Sequence, residues 1–409
     1  MAKQAVTLEA ILPNVSVQHL AENASICMVV PLGDPQDSTS LRGITPIYWG
    51  MPGIGKSAIM RTAARMAQLH YEVIYPSHHN PEDFSGLNLP DGLGGIKTIC
   101  GLSQIRRLIA KGEGVLAIDE AGNAPPALQS ALLSLILERN VGDDVLPPGV
   151  RLLAAANPVD CAAGGWDFEA PTANRFLHFN IPKPSNREWL KWYMGESTPQ
   201  AMPAASMWDT VVKNWNAAYP RAKGLVAGFI HAAGADLLHK LPGEEDPNRS
   251  RAWPSPRMWE MTGRCIATLF ALEKPGLIDT FVHAAVGSAA SISFAEWSRK
   301  ANLPSPEDML THGWNPDKLR LDITIAGLTS VTEFVTKNED PKKWAAAAWG
   351  LLDKCCKIGI TDLAMASTEV MVQHGLAEDD LDEAIIQAAK PVIRHLTKSP
   401  VAKAVMAIP

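Results

Sequence analysis

Apolar residues follow two alternating rhythms up to about residue 183 and a single rhythm beyond it. Short runs rich in β-branched and aromatic residues occupy ITPIYWG (44–50), YEVIY (71–75), VLAID (115–119), VRLLAAAN (150–157) and FLHFNI (176–181). Runs of this length bounded by turn residues read as buried strands. Between them, helical spacing appears in Lys56–His70 (Ile59, Met60, Ala63, Ala64, Met66), in Leu102–Lys111 and in Pro125–Glu138, the last opening on proline. Strands alternating with helices predict an α/β fold with a five-stranded parallel sheet. Residues 76–100 are rich in Gly and Pro and read as loop.

Past Pro184 the strand rhythm stops. Met258–Leu272, Leu277–Ser298, Trp344–Ile358 and Leu381–Ala404 keep helical spacing with few β-branched runs. The chain therefore divides into an α/β part at 1–183 (with 1–43 as a lead-in), a helical part at 184–302 and a helical extension at 303–409. Trp297, Trp314, Trp344 and Trp349 read as core anchors, with a partner surface as the alternative. The acidic run Glu378–Asp380 reads as a solvated helix start.

Composition sharpens this division. The chain carries a net charge of −6, and residues 1–180 hold 12 Lys and Arg against 17 Asp and Glu. Such a balance supplies no basic field for nucleic acid. Of 12 Trp, only Trp49 precedes Trp166, so the two parts differ in kind. No run reaches the roughly 18–20 consecutive apolar residues of a spanning helix, and the N-terminus lacks a signal-peptide pattern. Six cysteines without CxxC spacing suit a reducing compartment, and together these features predict a cytoplasmic protein without a membrane partner. His78-His79 lacks a third ligand at metal spacing and reads as an ordinary loop pair.

The strongest chemical signal is GMPGIGKS, Gly50 to Ser57, between a predicted strand and a predicted helix. Glycines let backbone N–H groups wrap a phosphate closely, and the helix N-terminus adds partial positive charge. Gly50, Pro52, Gly53, Ile54, Gly55, Lys56, Ser57 and Ala58 are thus the predicted phosphate cradle. Lys56 brings a point charge to the β- and γ-phosphates, and the Ser57 hydroxyl can ligate Mg²⁺. VLAIDE places Asp119 at a strand end for the Mg²⁺ shell, and Glu120 beside it to polarise the attacking water. Asn157 ends a later strand, where it can touch the γ-phosphate or that water.

With these residues in order, the chain resembles the AAA+ ATPases, and within them the MoxR-like branch. The resemblance covers about residues 40–300 and rests on GMPGIGKS, PEDFSG (81–86), VLAIDEAGNAPPALQSALLSLILER (115–139), GDDVLPPGVRLLAAANP (142–158), ANRF (173–176) and SPRMWE (255–260). It implies an AAA+ P-loop core followed by an all-α lid, with ATP and Mg²⁺ as cofactors. It also implies that Arg175 is an arginine finger reaching the nucleotide of a neighbouring subunit, and that Arg257 is the second-sensor arginine of the lid. By the same likeness, the 81–96 stretch corresponds to a helix-2 insert facing the ring pore and 138–150 to the hairpin before the first-sensor strand. A finger acting in trans implies a ring, by family expectation a hexamer. Members commonly remodel protein clients, often beside a von Willebrand A domain partner.

Two other functions compete. A nucleic-acid translocase of the restriction type needs a basic channel, whereas 81–97 holds three acids and one Lys. A nucleotide-gated assembly scaffold would not need Glu120. The segment after about residue 300 has no counterpart in the resemblance.

Overall fold

The computed structural model describes residues 17–90, 92, 95–158, 166–195, 200–377 and 381–398. The first half runs α1 (Val17–Cys27), β1 (Pro46–Trp49), α2 (Lys56–Met66), β2 (Tyr71–Ile74), α3 (Pro81–Ser85), β3 (Leu87–Pro90), β4 (Ile96–Ile99) and α4 (Ser103–Lys111). It continues through β5 (Glu113–Ile118), α5 (Pro126–Leu137), β6 (Asn140–Val141), β7 (Asp144–Val145), β8 (Gly149–Ala156), α6 (Ala170–Ala173) and β9 (Leu177–Asn180).

The five predicted apolar runs become one parallel sheet in the order β2-β5-β8-β1-β9. Ile118 pairs with Ala154, and Ile47 with that same residue from the other side, so β5, β8 and β1 lie in register at the centre. Ile47, Ile74, Leu116, Ile118 and Leu152 pack with Ile105 and Leu108 of α4 and with Leu128, Leu132 and Leu135 of α5. Each such side chain, fully buried, contributes about 1.5–3 kcal/mol of transfer free energy. A sheet covered by helices in this way explains why its strands read as continuous apolar runs.

Residues 76–100 are not simply loop. Asn80 and the Asp83 side chain form a capping box with Pro81 at the first helical position, which nucleates α3. The hairpin β3–β4 follows, pairing Leu87 with Ile99 and Asn88 with Thr98. Leu87, Leu89 and Ile96 are exposed, so no buried face marked these strands in the sequence. A second hairpin, β6–β7, falls at the place expected for it.

The helical half runs α7 (Asn186–Tyr193), α8 (Ala204–Ala233), α9 (Ala235–Leu238), α10 (Pro256–Ala271), α11 (Ile278–Ala301), α12 (Pro306–Thr311), α13 (Leu321–Thr336), α14 (Pro341–Lys357), α15 (Thr361–Gln373) and α16 (Glu383–Lys398). The chain forms two compact units that interleave along the sequence. The first takes residues 1–212, 240–258 and 274–288, and the second takes 213–239, 259–273 and 289–409. In the second, Phe229 packs on Trp259, Phe294 and Trp297. Trp297 and Trp349 are buried there, each with its indole N–H donated, to Asp322 and to the Leu376 carbonyl. Trp314 closes over Gly327, where any Cβ would meet its ring at 2.4 Å, and Trp344 meets Phe334 edge-on. Trp297 and Trp349 are core anchors, and Trp314 and Trp344 are half-buried at the margin of that core.

Residues Pro275–Thr311 are long and apolar enough, by length and composition, to cross a membrane, with a mean hydropathy of 1.3. Half of that segment's apolar window is buried within the protein, and α11 breaks at Gly287, whose φ of 78° is left-handed. Buried Phe281, Val282 and Phe294 identify it as core. The acidic run Glu378–Asp380 lies outside the described residues.

Candidate functional site

Sheet order builds the site. Because β5, β8 and β1 are neighbours, the residues after their C-terminal ends (Asp119, Asn157 and Gly50) converge at one edge. Ligands bind at this edge in open parallel sheets. Gly50 N–H donates to the Ala156 carbonyl at 3.3 Å and Asp119 N–H to the Ile74 carbonyl at 3.0 Å, which fixes the points of departure.

The loop from Gly50 feeds directly into α2, whose first residue is Lys56. Gly53 and Gly55 adopt φ of 80° and 97°, and a Cβ at either would touch nothing within 4 Å. Glycine is required there for backbone conformation, not for space. Lys56 is buried, and its ammonium donates to the Gly50 carbonyl at 2.8 Å, the Met51 carbonyl at 2.9 Å and Asn157 Oδ1 at 2.5 Å. Burial lowers its pKa, while the charges of Asp119 and Glu120 oppose that shift. Ser57 Oγ donates to Asp119 Oδ2 at 2.5 Å, and Asp119 Oδ1 accepts from the Glu120 N–H at 2.9 Å. Glu120 sits in the left-handed region (φ 53°, ψ 37°), which costs about 1–3 kcal/mol for a non-glycine residue. Its Oε2 accepts from Asn123 Nδ2 at 3.2 Å.

Five predicted residues thus meet at this edge in two hydrogen-bonded groups, Lys56 with Asn157 and Ser57 with Asp119 and the Glu120 N–H. Arg175 and Arg257 form a separate group. Arg175 is half-buried after α6 and donates from Nη1 to the Pro171 carbonyl. Its Nε is buried without a hydrogen bond among the described residues. Its pKa is lowered by burial and then by the charge of Arg257, which is exposed in the first turn of α10.

Donor chemistry suits a hydrated hard cation. A hydroxyl and a carboxylate 2.5 Å apart at the loop match Mg²⁺, which keeps several waters and takes few protein oxygens. Among the described residues no cluster of three His, Cys, Asp or Glu side chains offers a fully protein-built metal cage.

Sequence reasoning missed Asn123, Asn174 and Ser255. Asn174 lies inside ANRF beside the arginine that drew attention. Ser255 was legible as a cap, since Ser-Pro before a helical period is a start signal.

No family model matches this sequence, and no curated protein matches it. A solved structure similar to this chain, from Cytophaga hutchinsonii ATCC 33406, is described as a "putative ATPase". The TM-score is 0.42 at 16% identity, over 66% of this chain and 86% of that one.

Proposed function

We propose that this chain is a Mg²⁺-dependent ATPase of the AAA+ type, MoxR-like, working as a ring that remodels or activates a protein partner. The observation that carries it is the convergence of Lys56, Asn157, Ser57 and Asp119 behind a glycine loop at three adjacent strand ends. In this reading the loop N–H groups and Lys56 bind the β- and γ-phosphates of ATP. Ser57 and Asp119 would hold Mg²⁺, which supplies charge neutralisation on the phosphates. Glu120, its carboxylate held by Asn123, takes the proton of the attacking water, and Asn157 orients that water or the γ-phosphate. Arg175 stabilises the charge developing at a neighbour's site, an effect of roughly 10³–10⁵ in rate for such residues.

The acidic balance of residues 1–180 supports a protein client over nucleic acid. Steady-state ATP turnover of the full chain, with and without Mg²⁺, tests the central claim. Glu120→Gln should keep ATP binding and lose turnover; wild-type turnover in that variant would remove Glu120 from the mechanism. Mixing Arg175→Ala with Glu120→Gln subunits should restore activity at intermediate ratios. Absence of recovery at every ratio would refute action in trans.

A further inference from the structure

The segments that carry the two arginines of the second group are joined by a buried hydrogen-bond relay. Asn174 and Ser255 are each 5% exposed, and both belong to the first unit. Asn174 closes α6, donating its N–H to the Ala170 carbonyl at 3.1 Å. Its side chain is engaged at both ends. Nδ2 donates to the Trp253 carbonyl at 2.9 Å, and Oδ1 accepts from Ser255 Oγ at 2.6 Å. The Ser255 hydroxyl in turn accepts from the Met258 N–H at 3.2 Å, capping the first turn of α10.

Arg175 follows Asn174 directly, and Arg257 lies in the turn that Ser255 caps. One side-chain amide therefore ties together the two backbone segments that carry these arginines. The arrangement has an electrostatic cost, because each arginine works against the charge of the other. Arg175 Nε meanwhile stays buried without a hydrogen bond among the described residues. Neither arginine is ion-paired among the described residues, which leaves the two preorganised for an anion.

We infer that Asn174 and Ser255 are positioning residues that hold the segments of Arg175 and Arg257 together as one two-cation unit for the phosphate groups of the ATP bound by a neighbouring subunit. This rests on the ATPase reading above. Neither residue touches the reacting atoms; each acts through the arginines. Breaking the relay should therefore lower kcat with KM nearly unchanged, by about 10- to 100-fold, the scale of a small misplacement of a catalytic group.

The test is a double-mutant cycle on the full chain. Ser255→Ala removes the relay and the cap. Asn174→Asp is isosteric and keeps the acceptor for Ser255, but sets an oxygen against the Trp253 carbonyl. The two substitutions keep the test open if one fails to fold. Each is measured alone and in an Arg175→Ala background, by kcat, KM and thermal midpoint. The inference expects a kcat loss in the wild-type background and a smaller fractional loss once Arg175 is gone, the share carried by Arg257 remaining, with the thermal shift equal in both. An equal fractional loss of kcat in both backgrounds, or a thermal shift without a kcat loss, overturns it. If Arg175→Ala itself leaves turnover intact, the finger assignment fails first and the relay has nothing to position. Normal turnover in Asn174→Asp beside a low-turnover Arg175→Ala refutes the relay alone.

Discussion

The ammonium of Lys56 and the side-chain oxygen of Asn157 lie 2.5 Å apart, tying the loop after β1 to the end of β8. Two backbone carbonyls of the same loop share that ammonium, so Asn157 is one of three acceptors around one cation. The two side chains therefore differ in what their loss removes. Lys56→Ala deletes the charge itself. It should weaken ATP binding by at least 10- to 100-fold, from about 1.5–3 kcal/mol for a charge-assisted hydrogen bond. Asn157→Ala leaves Lys56 held by Gly50 and Met51. It should bind ATP within about threefold of wild type while losing on the order of 10²–10³ in turnover, as for one lost transition-state donor. Equilibrium titration with a fluorescent ATP analogue, paired with steady-state rates, separates the two. If Asn157→Ala lost affinity as Lys56→Ala does, it would be a binding group only.

Gly55 offers a cleaner probe of the loop. Its φ of 97° excludes comfortable use of an L side chain, yet a Cβ there meets nothing within 4 Å. Gly55→Ala should therefore cost about 1–2 kcal/mol of backbone strain, localised in the loop. We expect an intact fold by circular dichroism and a weakened ATP titration. Unchanged affinity would mean that the loop tolerates a conformation other than the one seen.

Much of this site is legible in the sequence, and the reason is local. Gly50–Ser57, Asp119-Glu120 and Asn157 each follow an apolar strand, and apolar runs buried on both faces announce themselves in a sequence. What joins them, the order of the strands, is non-local and appears only in the sheet. The hairpin β3–β4 was not legible, because its apolar residues Leu87, Leu89 and Ile96 face outward and mimic no core pattern. Asn174 was hidden for another reason. Its partners Trp253 and Ser255 lie far along the chain, and a lone amide before an arginine carries no signal of its own.

That hairpin is fastened to its neighbour by two carboxylates. Asp143 Oδ2 accepts the Thr98 N–H at 2.8 Å, and Asp144 Oδ2 accepts the Cys100 N–H at 2.7 Å. The Asp143 N–H returns a bond to the Thr98 carbonyl at 2.8 Å. Asp144→Ala would leave the Cys100 N–H without its acceptor, at about 1–3 kcal/mol for a buried group. Amide hydrogen exchange at 96–100 should speed by roughly 5- to 100-fold. Asp144→Asn, which still presents an oxygen, should restore much of the protection. Equal exchange in wild type and Asp144→Ala would show that the fastening does not hold the hairpin.

Acid sensitivity should trace to a histidine behind the loop. His178 is buried, accepting at Nδ1 from the Trp49 indole N–H at 2.9 Å, with Nε2 on the Ala173 carbonyl at 2.8 Å. Those partners assign the neutral ring protonated at Nε2. Burial pushes its pKa down to about 3; the Ala173 hydrogen bond opposes that shift and the charge of Arg251 adds to it. The unfolded chain binds this proton near pH 6.5, whereas the folded chain refuses it until about pH 3. Stability is therefore complete above pH 6.5 and falls as pH drops between those values, by about 1.4 kcal/mol per pH unit. From pH 7 to pH 5 that amounts to about 2 kcal/mol. His178→Phe removes the titration while orphaning the Trp49 indole N–H, so it should start less stable at pH 7 and lose less on going to pH 5. Urea denaturation at the two pH values measures both differences. A variant that lost as much between pH 7 and pH 5 as the wild type would place the acid-labile group elsewhere in the fold.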